Sequence, residues 1–296
     1  MTAVAETLDA GSGRRSWFAR ARGRIGLHTI LAILMIIWLL PTVGLLVNSV
    51  RPGTEVSGSG WWTALFPPYH FTLENYAHVL SQGNLGTNFL NSLFITIPST
   101  VIPIFVAAFA AYAFSWMEFP GRNILFVVVV GLLVVPLQAT LIPILSIFAS
   151  WGIVGTFLAL WLAHTGYGLP FAIYLLRNFM GSLPREVFES AAIDGASPVT
   201  AFFRLALPMS VPALAALAIF QFLWVWNDYL VALVFLGVDP SYKVVTQRLA
   251  DLTGTFGNDW QLLTAGAFLT MLLPLLVFFS LQRFFVRGLL AGSVKG

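Results

Sequence analysis

The chain has no cysteine among its 296 residues, which removes disulfides, thiol nucleophiles and cysteine-held metals from consideration. Charge is nearly as scarce. Asp, Glu, Lys and Arg make up 9% of the residues, against 58% hydrophobic ones, where a soluble domain carries about 25% charged residues. A water-covered surface of ordinary area cannot be built from so few charges, so lipid must cover much of the molecule. The four histidines, His28, His70, His78 and His164, are scattered without metal-site spacing. No G-x-x-x-x-G-K-[ST] loop is present to cradle the phosphates of ATP, and there is no G-x-S-x-G elbow or H-E-x-x-H pair. These absences argue against catalysis by this chain and against a cofactor or metal of its own. The net charge of +3 is too small to mark a nucleic-acid binder.

What the chain has in abundance is long apolar runs. A helix crosses the hydrocarbon core with about 20 such residues. Six segments qualify, at 27–49, 89–115, 123–147, 154–177, 210–237 and 263–283. The first is longer than a signal-peptide core and no small-residue cleavage site follows it, so it reads as a retained span. The expected fold is an all-α membrane protein of six transmembrane helices. Residues 1–26 form a basic tail without structure, 27–283 the spanning domain, and 284–296 a C-terminal tail. Prolines at 41, 98, 103, 136, 143, 170, 212 and 274 are expected to kink these spans.

Basic residues favour the cytoplasmic side of short loops. Twelve of the fifteen fall in one set: Arg14, Arg15, Arg20, Arg22, Arg24, Arg122, Arg177, Arg185, Arg204, Arg283, Arg287 and Lys295. Arg51, Lys243 and Arg248 fall in the other. Both termini are therefore expected in the cytoplasm, with outside loops at 50–88, 148–153 and 238–262. The first outside loop carries Trp61, Trp62, Phe66, Tyr69 and Phe71. These aromatics fit an interfacial belt or a partner surface, the belt being the simpler reading.

One stretch breaks the apolar pattern. Between spans four and five, in a loop at 178–209, the chain reads ESAAIDGASPVTAFFRLALP from Glu189 to Pro208. Pro184 suits a helix start, and Val187, Phe188, Ala191 and Ala192 fall on one face. Gly195 suits the left-handed residue that ends a helix. Ser197 is an N-cap candidate, with Pro198 at the first position after it. Val199, Phe202, Phe203 and Ala206 supply the next stripe. The pattern spells helix, tight bend, helix. Glu189 spaces with Arg185 for an i,i+4 pair. Alternatively, Glu189 or Asp194 meets a basic residue of a partner while the apolar stripe enters a partner groove.

This stretch resembles the EAA motif of the membrane subunits of ABC importers. Glu189, Ser190, Ala191, Asp194, Gly195, Ala196, Leu207 and Pro208 hold the motif's places, with Ser190 departing from alanine at the second. The resemblance implies that the loop forms two coupling helices seated in an ATPase dimer, which binds ATP and magnesium and moves the spans. Glu189, Ala191, Asp194, Gly195 and Pro208 are the expected coupling residues. NSL (91–93), FPGRN (119–123), VPLQATLIP (135–143), FQFLWVWNDYL (220–230) and QRFFVRGLLAGSVKG (282–296) are similar to the maltose-type carbohydrate subfamily. That similarity implies a sugar substrate, a second permease subunit in a heterodimer and an extracytoplasmic sugar-binding protein contacting 238–262. It places the assembly in the cytoplasmic membrane of a bacterium or archaeon, and lets the C-terminal tail reach the ATPase interface.

Asp228 is the clear acid within a span, and such a residue suggests function by default. It reads either as hydrated near the outer mouth of a sugar passage or as bonding the backbone of a neighbouring span. Trp226, Asn227 and Asp228 are the candidate pathway residues. Trp224 and Trp226 offer ring faces that suit sugar stacking or ordinary packing. Gln138, His164 and Gln221 read as interhelical hydrogen-bond partners. The same machine with a non-sugar cargo is one alternative. An ion-driven secondary transporter is another, disfavoured by the lack of repeats and of further coupling charges.

Overall fold

The structure, a computed structural model, describes residues 3–81, 84–254 and 259–293, with side chains described for 25–81, 84–252 and 259–283. The described residues are helical, with no strand among them. Helix α1 (Ala3–Ser49) leads into α2 (Gly53–Gly58), a 3-10 turn (Trp61–Leu65) and α3 (Glu74–Ser81). Helix α4 (Leu85–Trp116) is followed by α5 (Arg122–Gly131), a 3-10 turn (Leu132–Val134) and α6 (Leu137–Ser150). Then come α7 (Phe157–Met180), α8 (Arg185–Ile193), α9 (Pro198–Ala201), a π-turn (Phe202–Ala206) and α10 (Leu207–Met209). Helices α11 (Val211–Trp226), α12 (Leu230–Phe235), α13 (Val245–Gly254) and α14 (Trp260–Ser293) complete the order. Four stretches are long and apolar enough to cross a membrane singly: Ile25–Ser49, Leu85–Trp116, Phe157–Met180 and Trp260–Arg283. Two bent pairs, Arg122–Ser150 and Pro198–Trp226, qualify when each is taken together.

Four expectations are corrected. The segment 123–147 is kinked at Pro136 as expected, but so sharply that it forms two helices meeting at 104°. Pro136 has no N–H to continue the ladder and holds Val135 in an extended conformation (ψ 118°), so the helix stops and restarts. The segment 210–237 is broken as well, since α11 ends at Trp226 and a separate helix begins at Leu230. The N-terminal tail is helical from Ala3, as its alanines and arginines extend the hydrogen-bond ladder of the first span. At the other end α14 runs to Ser293, past the boundary expected at 283. The side chains of 284–293 and all of 294–296 lie outside the described residues, and with them much of QRFFVRGLLAGSVKG. By contrast Pro41, Pro98, Pro103, Pro143, Pro170 and Pro274 sit inside continuous helices.

The heart of the bundle is α4 against α7. Ala107, Ala108 and Ala111 of α4 and Ala172 of α7 are completely buried or nearly so. Small side chains let the two backbones approach, which drives packing where lipid gives no hydrophobic advantage. Helix α11 lies across both and packs on α14. At Gly168 of α7 the approach is so close that a Cβ would lie 2.7 Å from Nε2 of Gln221. That amide instead donates to the carbonyl of Ser99 on α4 at 3.1 Å, so Gln221 ties α11 to α4 as expected. Helix α1 packs mainly along α14 and is otherwise almost wholly exposed.

Candidate functional site

The hairpin after α7 is built by local rules. Helix α8 closes with paired bonds, the amide of Gly195 to the carbonyl of Ala192 (3.1 Å) and that of Ala196 to Ala191 (2.9 Å). This is a Schellman closure, which needs a left-handed residue, and Gly195 sits at φ +79°. Two residues on, the Ser197 hydroxyl accepts from the amide of Thr200 at 3.2 Å and Pro198 opens α9. Helix, bend and helix thus follow the expected order. The π-turn from Phe202 to Ala206 was not foreseen.

Two aromatic side chains fasten this hairpin to the bundle. Phe188 of α8 stacks on Trp116 at the end of α4, centroids 3.9 Å apart, and the Trp116 indole donates to the carbonyl of Met180. Phe202 is buried and stacks on Phe109 of α4 at 4.4 Å. Of the two apolar stripes, only Phe188, Phe202 and Ala206 turn inward to full burial. Ile193 is 87% exposed, Val199 65% and Phe203 45%. Around them stand Arg185, Glu186, Glu189, Asp194 and Arg204, all exposed. Glu189 makes no ion pair with Arg185 or any other described residue. Ala191 is half-buried beneath the bend and Pro208 is exposed at the far side.

The second group of candidates sits at the break after α11. Trp226 is buried among Phe89 and Phe222, and its indole donates to the carbonyl of Thr270 at 3.2 Å. Asn227 is exposed and caps α11 by donating to the carbonyl of Leu223. Asp228 turns back into the protein. Its carboxylate accepts from the amides of Val231 (3.2 Å) and Ala232 (2.9 Å), the first turn of α12. It bonds backbone, as one reading required, but the backbone of its own chain's next helix. His164 of α7 approaches the same carboxylate at 3.7 Å, with Trp224 edge-on to its ring. The hydroxyl of Thr246, on α13, donates to the carbonyl of Asp228 at 2.5 Å.

That last bond belongs to a seam between the 238–254 segment and the spans. Asn88 and Asn91 of α4 donate to the carbonyl of Lys243, and Ser92 accepts from the amide of Val245. Gln247 donates to the carbonyl of Gly237. Beside the break lies a cleft of about 560 Å³, between the bent α5–α6 pair and α7, with Trp224 at its edge. Its lining is largely apolar, and its polar feature is the Thr140 hydroxyl bonded to the Tyr167 phenol at 2.9 Å. No cluster of metal-ligating side chains occurs among the described residues.

A family model described as the binding-protein-dependent transport system inner membrane component matches residues 103–290, more than half of the chain. The chain belongs to this family. It is 55% identical over 275 residues to the osmoprotective compounds uptake permease protein GgtD of Synechocystis sp., covering 92% of each. It is 60% identical over 241 residues to the alpha-glucoside transport system permease protein AglG of Rhizobium meliloti, covering 80% of this chain and 63% of that one. Its fold is similar to a chain in the crystal structure of a bacterial ABC transporter that imports the acidic polysaccharide alginate. The TM-score there is 0.72 at 21% identity, over 88% of this chain and 95% of that one.

In this permease Glu189, Ala191, Asp194 and Gly195 belong to α8 and its closing bend and Pro208 to α10, whereas Trp226, Asn227 and Asp228 have three different surroundings. The Thr140–Tyr167 pair and its cleft escaped the sequence reading. The one available signal was Pro136, which marks where the wall of the cleft turns.

Proposed function

We propose that this permease is one membrane subunit of an ATP-driven importer for a small sugar, an α-glucoside by similarity to AglG. The exposed hairpin carries this reading. Ile193, Val199 and Phe203 project from a ring of charged side chains, which suits neither lipid nor bare water. A separate ATPase dimer, holding ATP and magnesium, covers them. Glu189, Ala191, Asp194, Gly195 and Pro208 form the coupling surface, and Phe188 and Phe202 transmit its movement to α4. This permease needs no cofactor of its own for that work.

Both termini then face the cytoplasm, and the 238–254 segment faces an extracytoplasmic sugar-binding protein. A second permease chain completes the passage as a heterodimer. Asn227 and the cleft beside Trp224 form this chain's share of the passage, while Trp226 and Asp228 hold its frame. The name of the 55% identical relative favours osmoprotective compounds as a second cargo class.

Uptake of a labelled α-glucoside decides between these, in cells lacking their own glucoside importers and supplied with this permease and its co-purifying chains. ATP-dependent uptake, competed by glucosides, is the expected result. Glu189→Lys and Gly195→Pro abolish it while the protein still reaches the membrane. Uptake that persists without any ATPase chain points to an ion-driven carrier and removes the reading.

A further inference from the structure

The segment between α2 and α3 contains no Asp, Glu, Lys or Arg from Val56 to Leu73. Yet it exposes Trp62, Leu65, Phe66, Tyr69, Phe71 and Leu73, each by 55% or more. A patch of this kind marks a protein interface or a membrane surface. Its depth decides which. The Trp61 ring packs on Gly44 of α1, where an added Cβ would lie 2.7 Å from the indole nitrogen. Gly44 is five residues inside the end of α1 at Ser49, about 7.5 Å along a helix rising 1.5 Å per residue. The chain is back at the level of the helix end at His70, whose Nδ1 meets the Glu55 carboxylate of α2, and at Thr72, whose amide donates to the carbonyl of Val50 at 2.7 Å. The Trp61 ring therefore reaches down beside a span whose own outward side chains, Leu40, Val43, Leu45 and Leu46, are exposed, while Thr63 and His70 hold the segment at the end of that span. The patch continues a lipid-facing surface.

The descent is fixed, not a loose loop. Arg51 is 1% exposed and donates to Asn48 Oδ1 (3.1 Å), Ser59 Oγ (2.6 Å), Thr63 Oγ1 (3.3 Å) and the carbonyls of Glu55 and Ser59. Asn75 closes the return by donating to the carbonyls of Ser49 and Arg51. A guanidinium whose two terminal nitrogens donate to backbone, amide and hydroxyl oxygens fixes the segment's path, with Glu55 Oε2 3.9 Å from its Nε. Gly53 presses α2 against Gln261 of α14, which anchors the other side.

We propose that residues 61–73 form a membrane-surface foot, an amphipathic rest whose aromatic and leucine side chains enter the headgroup and upper acyl region of the leaflet at the C-terminal end of α1. Tryptophan and tyrosine are favoured at that depth because each offers an apolar body and a polar tip. A lipid surface is the single occupant that matches the missing charge, the depth and the continuity with α1. The inference rests on α1 spanning the bilayer, not on what the permease carries.

The cysteine-free chain allows a direct test. Single variants Phe66→Cys and Phe71→Cys are spin-labelled in the full permease, purified with its accompanying chains into nanodiscs of phosphatidylethanolamine and phosphatidylglycerol. Collision rates with oxygen and with a water-soluble nickel chelate are measured. Thr54→Cys gives the water reference, and a phospholipid labelled high on its acyl chain gives the lipid reference. The expected result is an oxygen-to-nickel ratio at both foot positions closer to the lipid reference than to Thr54→Cys. A ratio equal to that of Thr54→Cys shows the segment in water and overturns the proposal. Shielding from both reagents shows a protein partner and overturns it equally. No transport is measured, so failure of the importer reading would leave the result standing.

Discussion

Gly195 is the residue on which the hairpin turns. It alone supplies the left-handed φ of +79° between α8 and α9, and nothing lies within 4 Å of where a Cβ would stand. A side chain there meets no clash, so the expected effect of Gly195→Ala is conformational only, about 1–2 kcal/mol for a non-glycine residue forced left-handed. Ser197→Ala removes the cap of α9 at a cost of about 1 kcal/mol. Both should lower uptake several-fold without abolishing it, whereas Gly195→Pro abolishes it, because proline cannot adopt a positive φ at all. Uptake rates and membrane abundance of the three variants check this order. These positions were legible in the sequence because each obeys a rule confined to five or six residues. Phe188 and Phe202 were legible as apolar stripe members but not as the ones turned inward. Their burial depends on Trp116 and Phe109, about 70 to 90 positions away in the chain.

At the scale of elements, the break between α11 and α12 is the feature sequence reasoning missed. An apolar run from 210 to 237 reads as one helix, and the Asn-Asp pair inside it reads as a polar intrusion. Asparagine ends one helix and aspartate starts the next, an N-cap signal that hydropathy hides. The carboxylate also lies 3.7 Å from His164, so two roles can be separated by substitution. If Asp228 acts as a cap, Asp228→Asn keeps one carbonyl oxygen, which accepts from one of the two amides that now bond separate carboxylate oxygens, and α12 stays ordered. Asp228→Ala then exposes those amides, and their hydrogen exchange rises by about tenfold, the effect of roughly 1.4 kcal/mol. If the charge matters through His164, the asparagine variant falls with the alanine one. We expect asparagine to protect one of the two amides and to fall between wild type and alanine in exchange at 231 and 232. The same logic explains the Pro136 break. Eight prolines were expected to kink spans; Pro136 sits at the 104° break and Pro212 opens the helix after the 72° break, while the other six lie inside continuous helices. Which proline a bundle accommodates is decided by its neighbours, not by its own ring.

For the whole molecule, the question is what covers each apolar surface. Along α1 and the outward faces of α4 and α14, exposed leucines, valines and phenylalanines have no charged neighbours within their spans, and lipid covers them. The hairpin differs. Ile193 and Val199 are more exposed than most lipid-facing residues, yet Arg185, Glu186, Glu189 and Asp194 stand in the same few turns. Seating those charges in hydrocarbon costs several kcal/mol, and leaving the apolar side chains in water forgoes about 1.5–3 kcal/mol for each one that could be buried. A folded protein partner relieves both. On the proposed function, Ile193→Asp should therefore release the proposed ATPase chain during purification in mild detergent while this permease stays in the membrane. Leu272→Asp, on the exposed face of α14, should instead impair membrane insertion and lower the amount of every chain. Quantifying the co-purifying chains for each variant reads both outcomes. If Ile193→Asp retains a full complement of ATPase, the hairpin is not the grip through which nucleotide chemistry reaches the bundle.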